Sequence, residues 1–171
     1  DDRTSRGLGD VYKRQRLTDE LLKITTQPVV FDTQQDKIEN ERLSVKMFSF
    51  MRKCNGMGLA ANQVGIDTSL FVTWVDGKYK AYYNPQLLLW SDKLVDFDEG
   101  CLSFAGESII VKRPDWIKLE WQDHKGNIKR EILDGLSARV CLHEYDHLKG
   151  ITFHQRIDNT DIPEDLLYVT T

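Results

Sequence analysis

The sequence predicts an α+β domain in which antiparallel sheets pack around a central helix, with a further helix near the N-terminus. Three observations carry this. An apolar stripe of helical spacing precedes residue 55, a run of strand-like segments joined by short turns fills Ser69 to Leu133, and a second helical pattern follows from Asp134. No helix pattern falls between the strands, so the sheet connections are short and the strands antiparallel.

Residues 1–16 mix charges and glycines without an apolar period and read as a disordered leader or a cloning remnant. One folded domain is expected over residues 17–157. From Asp36 to Cys54, Leu43, Met47, Phe50 and Cys54 recur at four, three and four residue steps, which predicts a helix with that stripe in the core. Asn55-Gly56 ends it in a left-handed cap. SLFVTWV, Asp76-Gly77 and KYKAYYN form a two-residue hairpin signal, because Asp-Gly suits a type I′ turn. QLLLW, KLVDFDE, ESIIVK, WIKLEWQD and NIKREIL then read as separate strands. Leu136, Val140, His143 and His147 share one face of the second helix, and Gly150 closes it. Residues 158–171 form a short acidic tail without Lys or Arg.

The 171 residues fit one domain. At 40% hydrophobic and 29% charged, the composition excludes disordered and membrane classes. A net charge of −4 disfavours a general nucleic-acid or anionic-membrane surface, so neither DNA nor a membrane is expected as a partner. Three cysteines, Cys54, Cys101 and Cys141, argue against a disulfide framework and for a reducing compartment, the cytoplasm. Cys54 and Cys141 read as small buried hydrophobes.

His143-Glu144-Tyr145-Asp146-His147 is an H-E-x-x-H segment. Four residues turn a helix by about 400°, so both imidazoles project from one face ~6 Å apart and can reach one ion. Glu144 stands on the adjoining face, where it can take a proton from an activated water. A metal site needs a third protein ligand, and three options stand open. A metzincin-type His fails in register, since Phe153 occupies that position and His154 is one residue late. A downstream Glu, as in zinc endopeptidases, leaves Glu164, 17 residues on. The third is Cys101, placed after a strand in Glu99-Gly100-Cys101-Leu102-Ser103, whose thiolate suits zinc or ferrous iron.

Gly56-Met57-Gly58-Leu59-Ala60-Ala61-Asn62-Gln63 contains a G-x-G-x-x-A. A dinucleotide-binding turn needs a strand before it and a helix after it, and this segment has the reverse. It reads instead as backbone that approaches a ligand closely, with Gln63 supplying an amide donor. Asp146 and Arg113 are expected to pair and so to orient the Cys101 loop and the second helix.

Taken together, Gly56 to Gln63, Glu99 to Ser103 and His143 to His147 resemble, in that order, the three motifs of the peptide deformylases. Asn84-Pro85 and Arg113-Pro114 add smaller matches. The resemblance implies that Cys101, His143 and His147 bind one divalent metal per chain. Ferrous iron is the expected native ion, with zinc, nickel or cobalt as substitutes. It implies Glu144 as general acid/base, and Gln63 with the Leu102 N–H as donors to the formyl oxygen. Gly58 would pair with the substrate backbone. Met57, Phe97, Leu136 and Val140 would line a methionine pocket. The implied reaction removes the N-formyl group from formyl-methionyl nascent peptides and releases formate. Leu142, Ala105 and Ser108 depart from residues common in the family. The acidic tail implies at most transient contact with the ribosome, and removal of residues 159–171 is expected to leave turnover largely intact.

Overall fold

The computed structural model describes residues 20–101, 103 and 106–168. The leader assigned to residues 1–16 lies outside them. Helix α1 spans Gln34–Lys53 and opens on a reciprocal cap. The Thr33 side chain accepts from the Asp36 N–H, and Asp36 accepts from the Thr33 N–H. The buried face of α1 is Ser44, Met47 and Met51, one step round from the predicted stripe. Phe50 and Cys54 are exposed, which corrects the expectation for both. Ser44 is small, and its hydroxyl returns to the Glu41 carbonyl, so a polar residue sits in the apolar face without cost. Asn55, at φ 56°, makes the left-handed exit.

A short strand β1 (Gly58–Ala60) and a 3₁₀ turn (Ala61–Val64) follow. Strands β2 (Leu70–Val75) and β3 (Lys78–Trp90) meet across Asp76-Gly77, both at positive φ, with Val75 opposite Lys78. This is the two-residue hairpin the sequence predicts. The two segments KYKAYYN and QLLLW are one strand rather than two. Pro85 is accommodated at a register shift between Tyr83 and Gln86, with Asn84 at φ 48°. A bulge supplies the unpaired position that a proline in a strand requires.

Strands β4 (Leu94–Gly100) and β5 (Ser108–Pro114) pair only with each other. Strands β6 (Trp116–Gln122) and β7 (Ile128–Asp134) complete a five-stranded antiparallel sheet in the order β1-β2-β3-β6-β7. Helix α2 (Gly135–Leu148) packs on one face of this sheet and α1 on the other. Along β2, Phe71 joins the α2 side and Leu70 and Val72 the α1 side, so both faces are covered and the run is apolar throughout. Gly150 leaves α2 at φ 74°, and a Cβ there would lie 2.7 Å from the Lys23 carbonyl carbon.

Helix α3 (Phe153–Asp158) and a 3₁₀ turn (Glu164–Leu166) end the described chain. The acidic segment folds back on the body. Leu166 packs on the α2 core, Tyr168 is buried in it, and the Arg156 guanidinium lies 4.0 Å from the Tyr168 ring centre.

Candidate metal centre and substrate cleft

Helix α2 is buried on nearly every side, from Ala138 to Leu148 with the exception of Val140. A helix buried all round can carry polar groups only where each finds a partner or a ligand. His143 and His147 project from it one turn apart, with Nε2 atoms 3.2 Å apart. Cys101, just past the end of β4, places Sγ 3.3 Å from His147 Nε2. The three donor atoms lie within 4.8 Å of one another. Two ligands at ~2.0–2.3 Å from a tetrahedral ion stand about 3.3–3.7 Å apart, so this spacing fits the edges of one coordination shell.

The Glu99 carboxylate orients the first of the two rings. His143 Nδ1 donates to Glu99 Oε1 at 2.8 Å, which leaves Nε2 turned toward the thiol and the second imidazole. Burial opposes charge on His143, yet its hydrogen bonds with Cys101 and Glu99 hold its pKa up at about 10. Burial and the neighbouring His143 push His147 down to about 3.

Glu144 sits beside this cluster, buried, with Oε2 lacking a hydrogen-bond partner and Oε1 4.0 Å from His143 Nε2. Burial raises its pKa to about 7, near the value that suits proton transfer at neutral pH. Gly58 on β1 faces it. A Cβ at residue 58 would meet Glu144 Cγ at 2.8 Å and Val140 Cγ1 at 3.0 Å, so only glycine permits this approach. Gln63 is held by its own Oε1, which accepts from the Ala60 N–H at 2.8 Å. Its Nε2 donates to Ser103 Oγ at 3.1 Å and reaches Cys101 Sγ at 3.5 Å. Leu102 lies outside the described residues.

A cleft of about 420 Å³ opens onto Cys101, His143 and Glu144. Met57, Phe97, Leu136 and Val140, the residues expected for a methionine pocket, line it together with Gly58, which is expected to meet the substrate backbone. Arg113 and Asp146 are bonded at 2.7 Å and belong to a larger buried network. Arg113 also grips both oxygens of Glu99, and Arg156 grips both oxygens of Asp146. Burial opposes charge on both acids, and the arginines overcome it, keeping Asp146 and Glu99 well below the usual carboxylate range. Sequence reasoning assigned no role to Glu99, Arg139, Arg156 or Asn62. Glu99 had a signal, as an acid two residues before a candidate ligand. Arg156 had none, since it reaches Asp146 only because α3 turns back. Asn62 donates to the His147 carbonyl at 2.6 Å. Of the third-ligand options, Cys101 is the one that joins the two histidines in this donor group. The Phe153 ring packs on His143 with centres 5.7 Å apart, and the converging donor group among the described residues does not include Glu164.

The α+β fold thus brings two imidazoles from an H-E-x-x-H helix and one sulfur from the β4–β5 connection into a single Cys-His-His donor set, the arrangement of a metal-binding site. The family model for polypeptide deformylase matches residues 12–162, and the chain belongs to that family. It is 43% identical over 116 residues to Peptide deformylase 1B, chloroplastic/mitochondrial, of Arabidopsis thaliana, covering 65% of this chain and 42% of the relative. With a peptide deformylase of Picosynechococcus it shares 38% over 130 residues, 72% of this chain and 70% of the relative. The chain spans less than half the length of its two plant relatives, 42% and 45%. The crystal structure of peptide deformylase from Thermotoga maritima superposes with a TM-score of 0.75 at 34% identity, covering 80% of this chain and 90% of that one.

Proposed function

We propose that the chain hydrolyses the N-formyl group of formyl-methionyl peptides, releasing formate and a free methionyl amine. The observation that carries this is the convergence of Cys101, His143 and His147 within 4.8 Å beside the unpartnered carboxylate oxygen of Glu144. Those three residues would hold a divalent ion, ferrous iron in our reading. Such an ion supplies Lewis acidity that lowers the pKa of water toward ~7.

The chain's own groups do the rest. Met57, Phe97, Leu136 and Val140 receive the methionine side chain in the cleft, and Gly58 pairs with the peptide backbone beside it. This seats the formyl carbon over the centre. Gln63, oriented by Ala60, donates from Nε2 to the formyl oxygen as it gains negative charge, and the Leu102 N–H is assigned the second donor role. One such donor lowers the barrier by ~3 kcal/mol. Glu144 accepts the proton of the attacking water and delivers it to the nitrogen as the carbon–nitrogen bond breaks. The Glu99–Arg113–Asp146–Arg156 network holds the His143 tautomer and the helix in register. We further propose a cytoplasmic setting with at most transient ribosome contact, supported by three free thiols and by the acidic tail. None of the described helices is long and apolar enough to cross a membrane.

The test is direct. Anaerobically prepared, iron-loaded protein incubated with a formyl-Met peptide should release formate stoichiometrically with new amine. An absence of formate from metal-loaded, folded protein would overturn the assignment.

A further inference from the structure

Two imidazoles come from one rigid helix, but the thiolate comes from elsewhere. Cys101 hangs from the end of the β4–β5 hairpin, which pairs with no other strand. The separation between sulfur and the imidazoles therefore depends on what fastens that hairpin to α2. Beside the Asp146–Arg113 and His143–Glu99 bonds, one further side chain on α2 does this at three points. Arg139 Nη1 donates to the Val111 carbonyl of β5 at 2.7 Å, and Nη2 donates to the Val95 carbonyl of β4 at 2.5 Å. Nη1 also donates to Glu99 Oε2 at 2.7 Å, two residues before Cys101. The guanidinium then covers the Phe97 ring at 5.4 Å, and the side chain is only 9% exposed. Both strands and the carboxylate that orients His143 are thus tied to α2 one helical turn before His143 itself.

We propose that Arg139 is a positioning residue that sets the distance of Cys101 from His143 and His147, and so the affinity of the site for its metal. The planar fork matters, because three acceptors in two directions cannot be served by a point charge. The inference rests on the metal site of the proposed function, but it concerns the fit of the site rather than the reaction.

The experiment compares the wild-type chain with Arg139→Met, Arg139→Lys and Leu119→Ala, the last a buried β6 residue outside the donor set and outside the partners of Arg139, serving as the stability control. Each is loaded with cobalt, and two quantities are read well below the melting temperature. One is the rate of cobalt loss to a chelator, the other the sulfur-to-cobalt charge-transfer absorption. Groups that orient metal ligands typically change affinity by ~10–100-fold. Arg139→Met should release cobalt at least ~10-fold faster with a weakened charge-transfer band, Arg139→Lys should fall between it and wild type, and Leu119→Ala should match wild type. If Arg139→Met does not fold, the lysine variant carries the comparison. Arg139 variants that lose stability as Leu119→Ala does, yet keep cobalt and its spectrum, would overturn the proposal. A wild-type chain that takes up no cobalt would overturn the metal reading itself, and this proposal with it.

Discussion

Glu144 is the residue where burial and chemistry are most closely tied. A carboxylate whose pKa burial raises to about 7, against the opposing charges of His143 and Arg113, can both accept and return a proton. Glu144→Ala should retain the metal, since Glu144 is outside the donor set, and lose ~10²-fold or more of turnover. Metal content and formate release, measured on one sample, check both halves. Near-normal turnover by the loaded variant would remove Glu144 from the mechanism. Gly58 is the complementary test. Its replacement by Ala puts a methyl 2.8 Å from Glu144 Cγ and pushes the base from its place. Overpacking of this kind costs ~1–3 kcal/mol, and here it should appear chiefly as a lower kcat with the protein still folded. Unchanged kcat would show that Glu144 moves freely.

At the scale of elements, three segments meet at Asp146. Arg113 comes from β5 and Arg156 from α3, and both bond to one carboxylate on α2. Removing that carboxylate leaves two buried guanidiniums facing each other. Asp146→Ala should therefore cost ~3–5 kcal/mol, as breaking a buried pair usually does. Urea unfolding followed by circular dichroism measures this, and a loss under 1 kcal/mol would mean that water replaces the carboxylate. The same network revises the expectation for the tail. Arg156 Nη1 donates to the Leu166 carbonyl, and its guanidinium covers buried Tyr168. Removing residues 159–171 would strip this cover. Tyr168→Ala alone should destabilise by ~3 kcal/mol, in the range for a large aromatic lost from a core. Thermal unfolding reads it, and an unchanged midpoint would restore the view of a dispensable tail.

Element-level legibility follows from where the information sits. The Asp76-Gly77 hairpin and the His143/His147 pair were plain in the sequence because their spacing is local. The third-ligand position was not, since Glu164 and Cys101 differ only in how the chain returns to α2. It was the family motifs, not periodicity, that singled out Cys101. The α1 stripe was placed one step off because Ser44, polar by composition, is buried through a bond to its own helix. Arg139 and Arg156 escaped for a related reason. An arginine's reach spans elements that sequence separation hides.

On the scale of the whole molecule, the thiolate is the exposed flank of the centre. Cys101 is partly accessible while both histidines are buried. An iron-loaded sample should lose activity in air, through oxidation of the metal and of Cys101. Zinc or nickel loading should slow the loss. Parallel activity decay curves, aerobic and anaerobic, decide it, and full activity after prolonged aeration with iron would show that the cleft shields its sulfur.

Finally, α2 has almost no solvent face. Its backbone amides from Cys141 to Leu148 lie beneath the sheet, the β4–β5 hairpin and the returning C-terminal segment. Amides in such a position exchange with deuterium only when the whole structure opens. The segment that carries both imidazoles and the base should accordingly be the last to exchange. Heating should therefore not melt the donor site first and the scaffold later: the temperature at which the helix bearing the two imidazoles is lost is the temperature at which the molecule is lost.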